Sequence, residues 1–392
     1  MPVTWEHDPM IYLDNAATSY PKPESVYRAM DEFARKFAGN PGRSGHRLAV
    51  EAEKRVQGCR EAVARLLNAE SPDEIILTLN ATDGLNIAQK GILKAGDHVI
   101  TSHTEHNSIN RPLAKMAKDG LITCDKAASA SDGAVPPENI ERLIRKNTRM
   151  IAITHCSNVL GVVNPIEEYA RLARKRGILT LIDASQSVGV VPIDVRKLGV
   201  DMVAFPGHKN LFGPMGTGAL YVRRGVEIRF FREGGTGFKA DQEFQPEEMP
   251  FRLEGGTPNA HGYAGLLAGI EFVEKEGIRK IGDHERRLAL RFADAVRAHP
   301  NVTVYSCQSP GRQLGPVSLL IKGAEPGDVG RAMDEKYGIA CRPGLHCAPG
   351  THKFLGTLPK GTVRFSFGFF NTDEHVDAAA RAVQEVAAET RH

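Results

Sequence analysis

Two stretches, Ile178-Leu-Thr-Leu-Ile-Asp183 and Met202-Val-Ala-Phe-Pro-Gly-His-Lys209, share one form: a short, mostly apolar run that stops abruptly at polar residues. Runs of this length without a polar face read as strands covered on both sides, the kind found in parallel sheets. Further runs of the same type lie at Ile75 to Leu79, His98 to Thr101, Met150 to Thr154 and Ala219 to Val222. Between them stand helical segments, Glu138 to Lys146 and Ile166 to Arg176, that read as covering layers. Upstream, Val26, Met30, Phe33 and Phe37 recur at helical spacing after Lys22-Pro23, and Ala52, Val56, Cys59, Val63 and Leu66 repeat the pattern. This alternation from Pro23 to about Gly225 predicts an α/β fold with a mostly parallel sheet.

Beyond about Gly262 the pattern changes. Long helical stretches, one of them Arg286 to His299 with a strongly charged face, precede strands at Val302 to Tyr305 and Val317 to Ile321 and a last helix from Glu374 to Glu389. This predicts a smaller α+β C-terminal domain, residues 277–392 with 1–20, beside a large domain at 21–276.

The chain has 392 residues, enough for two such domains; 41% are hydrophobic and 25% charged, an ordinary globular balance. Fifty Lys and Arg against 47 Asp and Glu leave a net charge of +3, which argues against a nucleic-acid or membrane-surface binder and favours a small-molecule partner. Met1 to Asp8 lacks the basic start and apolar stretch of a secretory signal, and polar residues interrupt every apolar run before bilayer length, so a cytoplasmic protein is expected. Six cysteines without a C-x-x-C pair indicate neither a disulfide framework nor a zinc ribbon.

Ligands of open α/β sheets bind outside the carboxyl ends of the strands. Those ends carry Asp183, Gly207-His208-Lys209 and Asn80-Ala-Thr-Asp-Gly-Leu-Asn86. A lysine, a carboxylate and a helix N-terminus on one rim meet the needs of pyridoxal 5'-phosphate: an amine for its aldehyde, an acid for its ring nitrogen and amides for its phosphate.

Four motifs taken in order resemble those of the cysteine desulfurases of the class V aminotransferase group. They are Tyr12-Leu-Asp-Asn-Ala-Ala17, Ser157-Asn-Val-Leu-Gly161, Gly207-His-Lys209 with Gly213-Pro214, and Gly256-Thr-Pro-Asn259. The resemblance covers essentially the whole chain and implies a fold type I pyridoxal-phosphate-dependent transferase, its large domain binding the cofactor. It further implies that Lys209 carries the cofactor, Asp183 pairs with the ring nitrogen, Gln186 donates to the ring oxygen and His106 stacks on the ring and handles protons. Ala81, Thr82 and His208 would address the phosphate, and Thr257 would reach it from a neighbouring subunit, so a homodimer is implied. Asn158 would face ring oxygen and substrate. Arg364 would grip the substrate carboxylate; it alternates with apolar Val363, Phe365 and Phe367 and so points away from their packed face.

Cys347, in Arg342-Pro-Gly-Leu-His-Cys347-Ala-Pro, resembles the catalytic segment of one branch of these enzymes, in which the thiol takes sulfur from L-cysteine as a persulfide and passes it to an acceptor protein. Neighbouring Arg342, counted with Asn158 and Arg364 among the substrate-binding residues, and His346 are expected to favour its thiolate. Leu345 stands where that branch often has a second His, and Pro206 where the lysine motif usually has a Ser or Thr phosphate ligand.

Other readings weigh against these. A selenocysteine lyase acting on L-selenocysteine uses the same apparatus, and other class V C-S lyases and aminotransferases share most of it. A regulator built on this domain needs a DNA-binding module that Met1 to Pro23 is too short to hold, and a sulfur-carrying scaffold has no use for Lys209 and Asp183. His103 with His106, and Cys341, His346, Cys347 and His352, fit no usual zinc spacing, so no metal is expected. Alone, Asp183 reads as a turn or cap residue, Thr82 as a helix cap and Arg364 as a structural ion pair.

Overall fold

In the computed structural model, which describes residues 10–42, 45–306 and 309–390, the chain opens on β1 (Ile11–Tyr12). It continues through α1 (Glu24–Glu32), a π-helical turn at Phe33–Phe37 and the long α2 (Arg47–Leu67). Met1 to Asp8 and Cys307 lie outside the described residues. Seven strands follow: β2 (Ile75–Thr78), β3 (Asp97–Ser102), β4 (Ile122–Ala127), β5 (Thr148–Thr154), β6 (Leu179–Asp183), β7 (Met202–Pro206) and β8 (Gly218–Val222). The helices between them are α3 (Ala81–Ile92), α4 (Asn107–Lys118), α5 (Pro137–Glu141), α6 (Ile166–Arg174) and α7 (Val195–Leu198).

The strands form one sheet in the order β2-β8-β7-β6-β5-β3-β4. β8 is antiparallel to both neighbours and the remaining pairs are parallel. Every residue of β2, β7 and β8 is buried, as the apolar runs require once helices cover both faces. The order also locates the site. Chain growth runs from β3 outward to β4, then returns to place β5 on the other side of β3 and adds β6 and β7 beyond it. The crevice between the ends of β3 and β5 is the point of reversal, where sheets of this kind take their ligands. The register puts Thr154 of β5 beside Asp183 of β6, and Asp183 beside Ala204 of β7, so the polar residues beyond these strands leave the sheet on one edge.

The C-terminal part begins with α8 (Ala260–Glu276) and α9 (Ile278–Arg297), joined at Gly277, whose φ of +93° a side chain would resist. There follow β9 (Val302–Val304), β10 (Pro316–Ile321), α10 (Pro326–Tyr337), β11 (Ile339–Ala340), β12 (Arg342–Gly344), α11 (Pro349–Leu355), β13 (Thr362–Ser366) and α12 (Asp373–Glu389). An antiparallel sheet, β12-β13-β10-β9, packs on α9 and α12 around Phe292, whose ring centroid lies 4.8 Å from that of Phe365 and 5.3 Å from that of Phe367. Leu13, just after β1, belongs to the same apolar cluster, and β1 pairs in parallel with β11. The N-terminal strand is therefore an outlying piece of the C-terminal core.

The helix expected from Glu138 to Lys146 stops at Glu141. Leu143 and Ile144 donate to carbonyls three residues back, and the Thr148 hydroxyl accepts from the Arg145 amide at 2.7 Å, which turns the chain into β5 before another helical turn can form.

Candidate active site

At the reversal point a cleft of about 210 Å³ opens, lined by side chains from both parts of the chain. Lys209 enters from the end of β7 and Asp183 from the end of β6. Burial pushes the Lys209 amine down to about 8, with Arg364 and Arg342 acting in the same sense and the Asp183 carboxylate opposing them. Asp183 is 3% exposed; its Oδ1 accepts from the Ser185 amide (3.0 Å) and hydroxyl (2.5 Å), which fix the carboxylate on the rim.

His106 is the N-cap of α4. Its Nδ1 accepts the Ser108 amide at 3.1 Å, so the ring proton of the neutral form sits on Nε2. Burial lowers its pKa to about 4, with Lys209, Arg342 and Arg111 adding to the shift and Asp183 opposing it. The imidazole is neutral at ordinary pH. Opposite, α3 points its first turn at the cleft. Asn80 caps it by accepting the Asp83 amide at 2.9 Å, while the Ala81 and Thr82 amides find no acceptor among the described residues. His208 also lines the cleft with a buried Nδ1 that lacks a partner. Pro206, beside it, offers neither an amide hydrogen nor a hydroxyl. Two free helix amides and an unsatisfied imidazole nitrogen form a donor set that suits an anion.

Arg364 is 1% exposed. The face of β13 opposite its packed apolar side is itself covered, and there Arg364 donates to Asp14 Oδ1 at 2.7 Å and to the Asn158 carbonyl at 3.0 Å, leaving its Nε unsatisfied. Arg364 thus makes a structural ion pair and also lines the cleft. Asn158 donates from Nδ2 to the His346 carbonyl at 2.7 Å, and Gln186 from Nε2 to the Ala16 carbonyl at 3.0 Å.

Cys347 is exposed and does not itself line the cleft, though Arg342 and His346 of the same segment do. Arg342 Nη2 lies 3.9 Å from its Sγ, and the Asn107 amide, next to His106, donates to its carbonyl at 2.8 Å. His346 does not assist as a charge: burial, reinforced by Arg364, His352 and Arg342, drives its pKa to about 2. Thr257 is absent from this cleft and lines a different one, with Leu79, Arg232, Gly237 and Asn259. Among the described residues no group of three or more His, Cys, Asp or Glu is placed to hold a metal ion, and no helix is long and apolar enough to cross a membrane.

Three supporting residues escaped the sequence reading: Asp14, Ser185 and Glu105. Asp14 lies within the Tyr12 to Ala17 motif and Glu105 directly before His106, so the signal was adjacency. Glu105 is fully buried, accepts the Thr154 amide (2.8 Å) and the Ser102 hydroxyl (2.5 Å), and is raised by burial to about 8.

The family model for aminotransferase class V matches residues 11–379. A probable cysteine desulfurase of Methanothermobacter thermautotrophicus is 35% identical over 384 residues, covering 96% of this chain and 94% of that protein. One from Halalkalibacterium halodurans is 36% identical over 385 residues, covering 96% and 93%. The apo structure of cysteine desulfurase from Thermococcus onnurineus superposes with a TM-score of 0.90 at 33% identity, covering 97% of this chain and 95% of that one. The cysteine desulfurase CsdA of Escherichia coli, in its S-sulfonic acid form, gives 0.86 at 31%, covering 97% and 95%. With sequence and fold in agreement along its length, the chain belongs to the class V aminotransferase family, in its cysteine desulfurase group.

Proposed function

We propose that the protein is a pyridoxal 5'-phosphate-dependent cysteine desulfurase, a cytoplasmic homodimer that converts L-cysteine to L-alanine and passes the sulfur, held as a persulfide on Cys347, to an acceptor protein. The observation that carries this reading is the exposed Cys347 thiol beside the guanidinium of Arg342, which lines the same cleft as Lys209, Asp183 and Arg364. In the proposed division, residues 21–276 bind the cofactor, and residues 1–20 with 277–392 supply Arg342, Cys347 and Arg364.

The donor set fits the cofactor. Its phosphate matches the free amides of Ala81 and Thr82 with His208, its ring nitrogen matches Asp183, and its aldehyde matches an amine already lowered to about 8. Neutral His106, with its proton on Nε2, suits the ring face, while Asn158 and Gln186 offer amides toward the ring oxygen. When bound, pyridoxal phosphate supplies the electron sink for loss of the substrate Cα proton. Lys209 then serves as the base that takes and returns that proton, and Arg364 holds the substrate carboxylate. The Cys347 thiolate attacks the substrate sulfur; the S–S bond forms as the C–S bond breaks, its electron pair leaving with carbon, and the one proton given up by the Cys347 thiol completes the methyl group of alanine while the substrate thiol's proton stays with the persulfide. Atoms balance as cysteine plus Cys347 thiol giving alanine plus Cys347 persulfide.

The test measures alanine from L-cysteine and from L-selenocysteine, with a thiol reductant, for wild type and Cys347→Ala, alongside borohydride reduction and peptide mapping. The expected result is a pyridoxyl group on Lys209 and cysteine turnover lost in the variant with cofactor retained. Unchanged cysteine turnover in Cys347→Ala removes the thiol from the reaction and leaves a C-S lyase. Wild-type turnover of selenocysteine with cysteine inert assigns a selenocysteine lyase.

A further inference from the structure

One carbonyl oxygen is more heavily engaged than its chemistry requires. The His208 carbonyl belongs to the peptide bond that joins His208 to Lys209. It lies within reach of four donors: the Thr18 hydroxyl (3.0 Å), the Ser19 amide (3.1 Å), the Ser19 hydroxyl (3.3 Å) and the Lys22 ammonium (3.2 Å). A carbonyl oxygen has two lone pairs, so the donors share it, and the charged one makes the strongest bond. Lys22 forms no ion pair among the described residues. Its ammonium bonds instead to this oxygen and to the carbonyl and hydroxyl of Ser19, at 3.1 and 3.2 Å, in a setting where burial lowers it to about 8. Partly desolvating an ammonium without a carboxylate partner is unfavourable. Surface hydration would have served a lysine with no task.

The donors belong to one strap. Residues 14–22 run from the Asp14–Arg364 ion pair, past Ala16, whose carbonyl takes the Gln186 amide and whose own amide goes to the Ser366 hydroxyl, to the His208 carbonyl. The strap ties the arginine and the lysine of the cleft to a common segment.

We propose that Lys22 is a positioning residue for Lys209: with Thr18 and Ser19 it clamps the peptide bond on the amino side of Lys209 and so sets the line along which the reactive amine enters the cleft. The inference rests on the reading of Lys209 as the cofactor lysine. Lys22 touches neither cofactor nor substrate in this scheme. Its part is to keep Lys209 in its dry, fixed place, where a misplacement of ~1 Å costs a reacting group up to about a hundredfold in rate.

The experiment uses the apo protein as well as the holoenzyme. Acylation of Lys209 by an amine-reactive anhydride is followed against pH by peptide mass spectrometry in wild type, Lys22→Met, Lys22→Gln, Lys22→Arg and Thr18→Val, and kcat and Tm are measured on the reconstituted enzymes. Loosening the clamp admits water and raises the Lys209 midpoint. Labelling at pH 7.5 is expected to slow threefold or more in Lys22→Met, equivalent to ~0.5 pH unit. kcat is expected to fall about tenfold with little change in KM, Lys22→Arg to recover most of both effects, and Thr18→Val to show a smaller shift of the same sign. A Lys22→Met protein with a lowered Tm but wild-type Lys209 labelling and kcat overturns the proposal and leaves Lys22 a structural cap. If Lys22→Met does not fold, an unaltered labelling curve in Lys22→Gln has the same force. Borohydride mapping on wild type separates the premise from the inference. Cofactor found on another lysine, with the labelling shift still present, removes the role of Lys209 and leaves the clamp standing.

Discussion

Of the charges that act on Lys209, Asp183 acts most strongly. Burial favours the neutral amine and the carboxylate favours the charged one; burial prevails, at about 8. Below that value Lys209 is protonated and cannot attack an aldehyde; above it the amine is free. Uptake of pyridoxal phosphate by the apo protein, followed by stopped-flow absorbance, should therefore rise with pH to a midpoint near 8 rather than at the ~10.4 of a solvated lysine. In Asp183→Asn the negative charge that holds the proton is gone, so the midpoint should move below that of wild type even as the cofactor is held less firmly. A midpoint that stays put, or climbs, would separate the two residues. His106 and His346 follow the same logic with opposite use. Both are made neutral by burial, but His106 keeps an Nε2 proton in the cleft, while His346 Nε2 faces the Thr362 hydroxyl at 3.1 Å and serves the architecture of the Cys347 segment.

Between residue and molecule, β8 shows how an element shapes a site without entering it. It is the one antiparallel strand of the large sheet, and Gly218 at its start passes beneath the entry to α3. A Cβ there would stand 2.8 Å from the Phe205 carbonyl oxygen and 2.9 Å from the backbone of Asn80. Gly218→Ala should push Asn80 outward and misdirect the Ala81 and Thr82 amides, costing ~1–3 kcal/mol as overpacking. Dialysis and thermal melts should show a cofactor bound on the order of tenfold more weakly, about 1.4 kcal/mol, and a lowered Tm. Full retention at unchanged Tm would detach β8 from the phosphate end. The elements legible in the sequence were those with both faces buried, because a short, uninterrupted apolar run between turn residues suits a doubly covered strand and little else. β4 was missed since it is the sheet edge: Asp125 pairs with Arg145 and sits 3.2 Å from His98, and polar residues interrupt the run. β11 and β12, of two and three residues, carry no periodicity to detect. The Cys347 turn was legible as chemistry and not as shape. His346 and Cys347 both have positive φ, 48° and 56°, without being glycine, and are held there by Asn158 and Asn107, contacts no local pattern reveals. Asp14 and Lys22 act through a strap whose partners lie 350 and 186 positions away in sequence, beyond any spacing rule.

At the scale of the whole molecule, the proposed homodimer turns on Thr257. Every other residue assigned to the cofactor lines the cleft around Lys209, yet Thr257 lies on a second cleft beside Leu79, 47% exposed, and Asn259, whose Nδ2 donates to the Gly216 carbonyl at 2.9 Å. Met215, adjacent to Gly216, is 68% exposed, a second large apolar side chain in the open. A threonine expected at the phosphate but displaced from its own cleft, next to exposed apolar surface, is what the proposed exchange between two subunits requires. Mixing tests this directly. Lys209→Ala is expected to be inactive, and Thr257→Ala to bind cofactor weakly and turn over slowly. In a mixed dimer, the cleft with an intact Lys209 belongs to the Thr257→Ala chain, and the threonine reaching it comes from the Lys209→Ala chain, so one of the two sites is complete. Co-refolding the variants should yield alanine formation well above either alone, with a dimer mass in sedimentation. A threonine serving its own subunit predicts the reverse: each mixed dimer then pairs a site without lysine with a site without threonine, and mixing restores nothing.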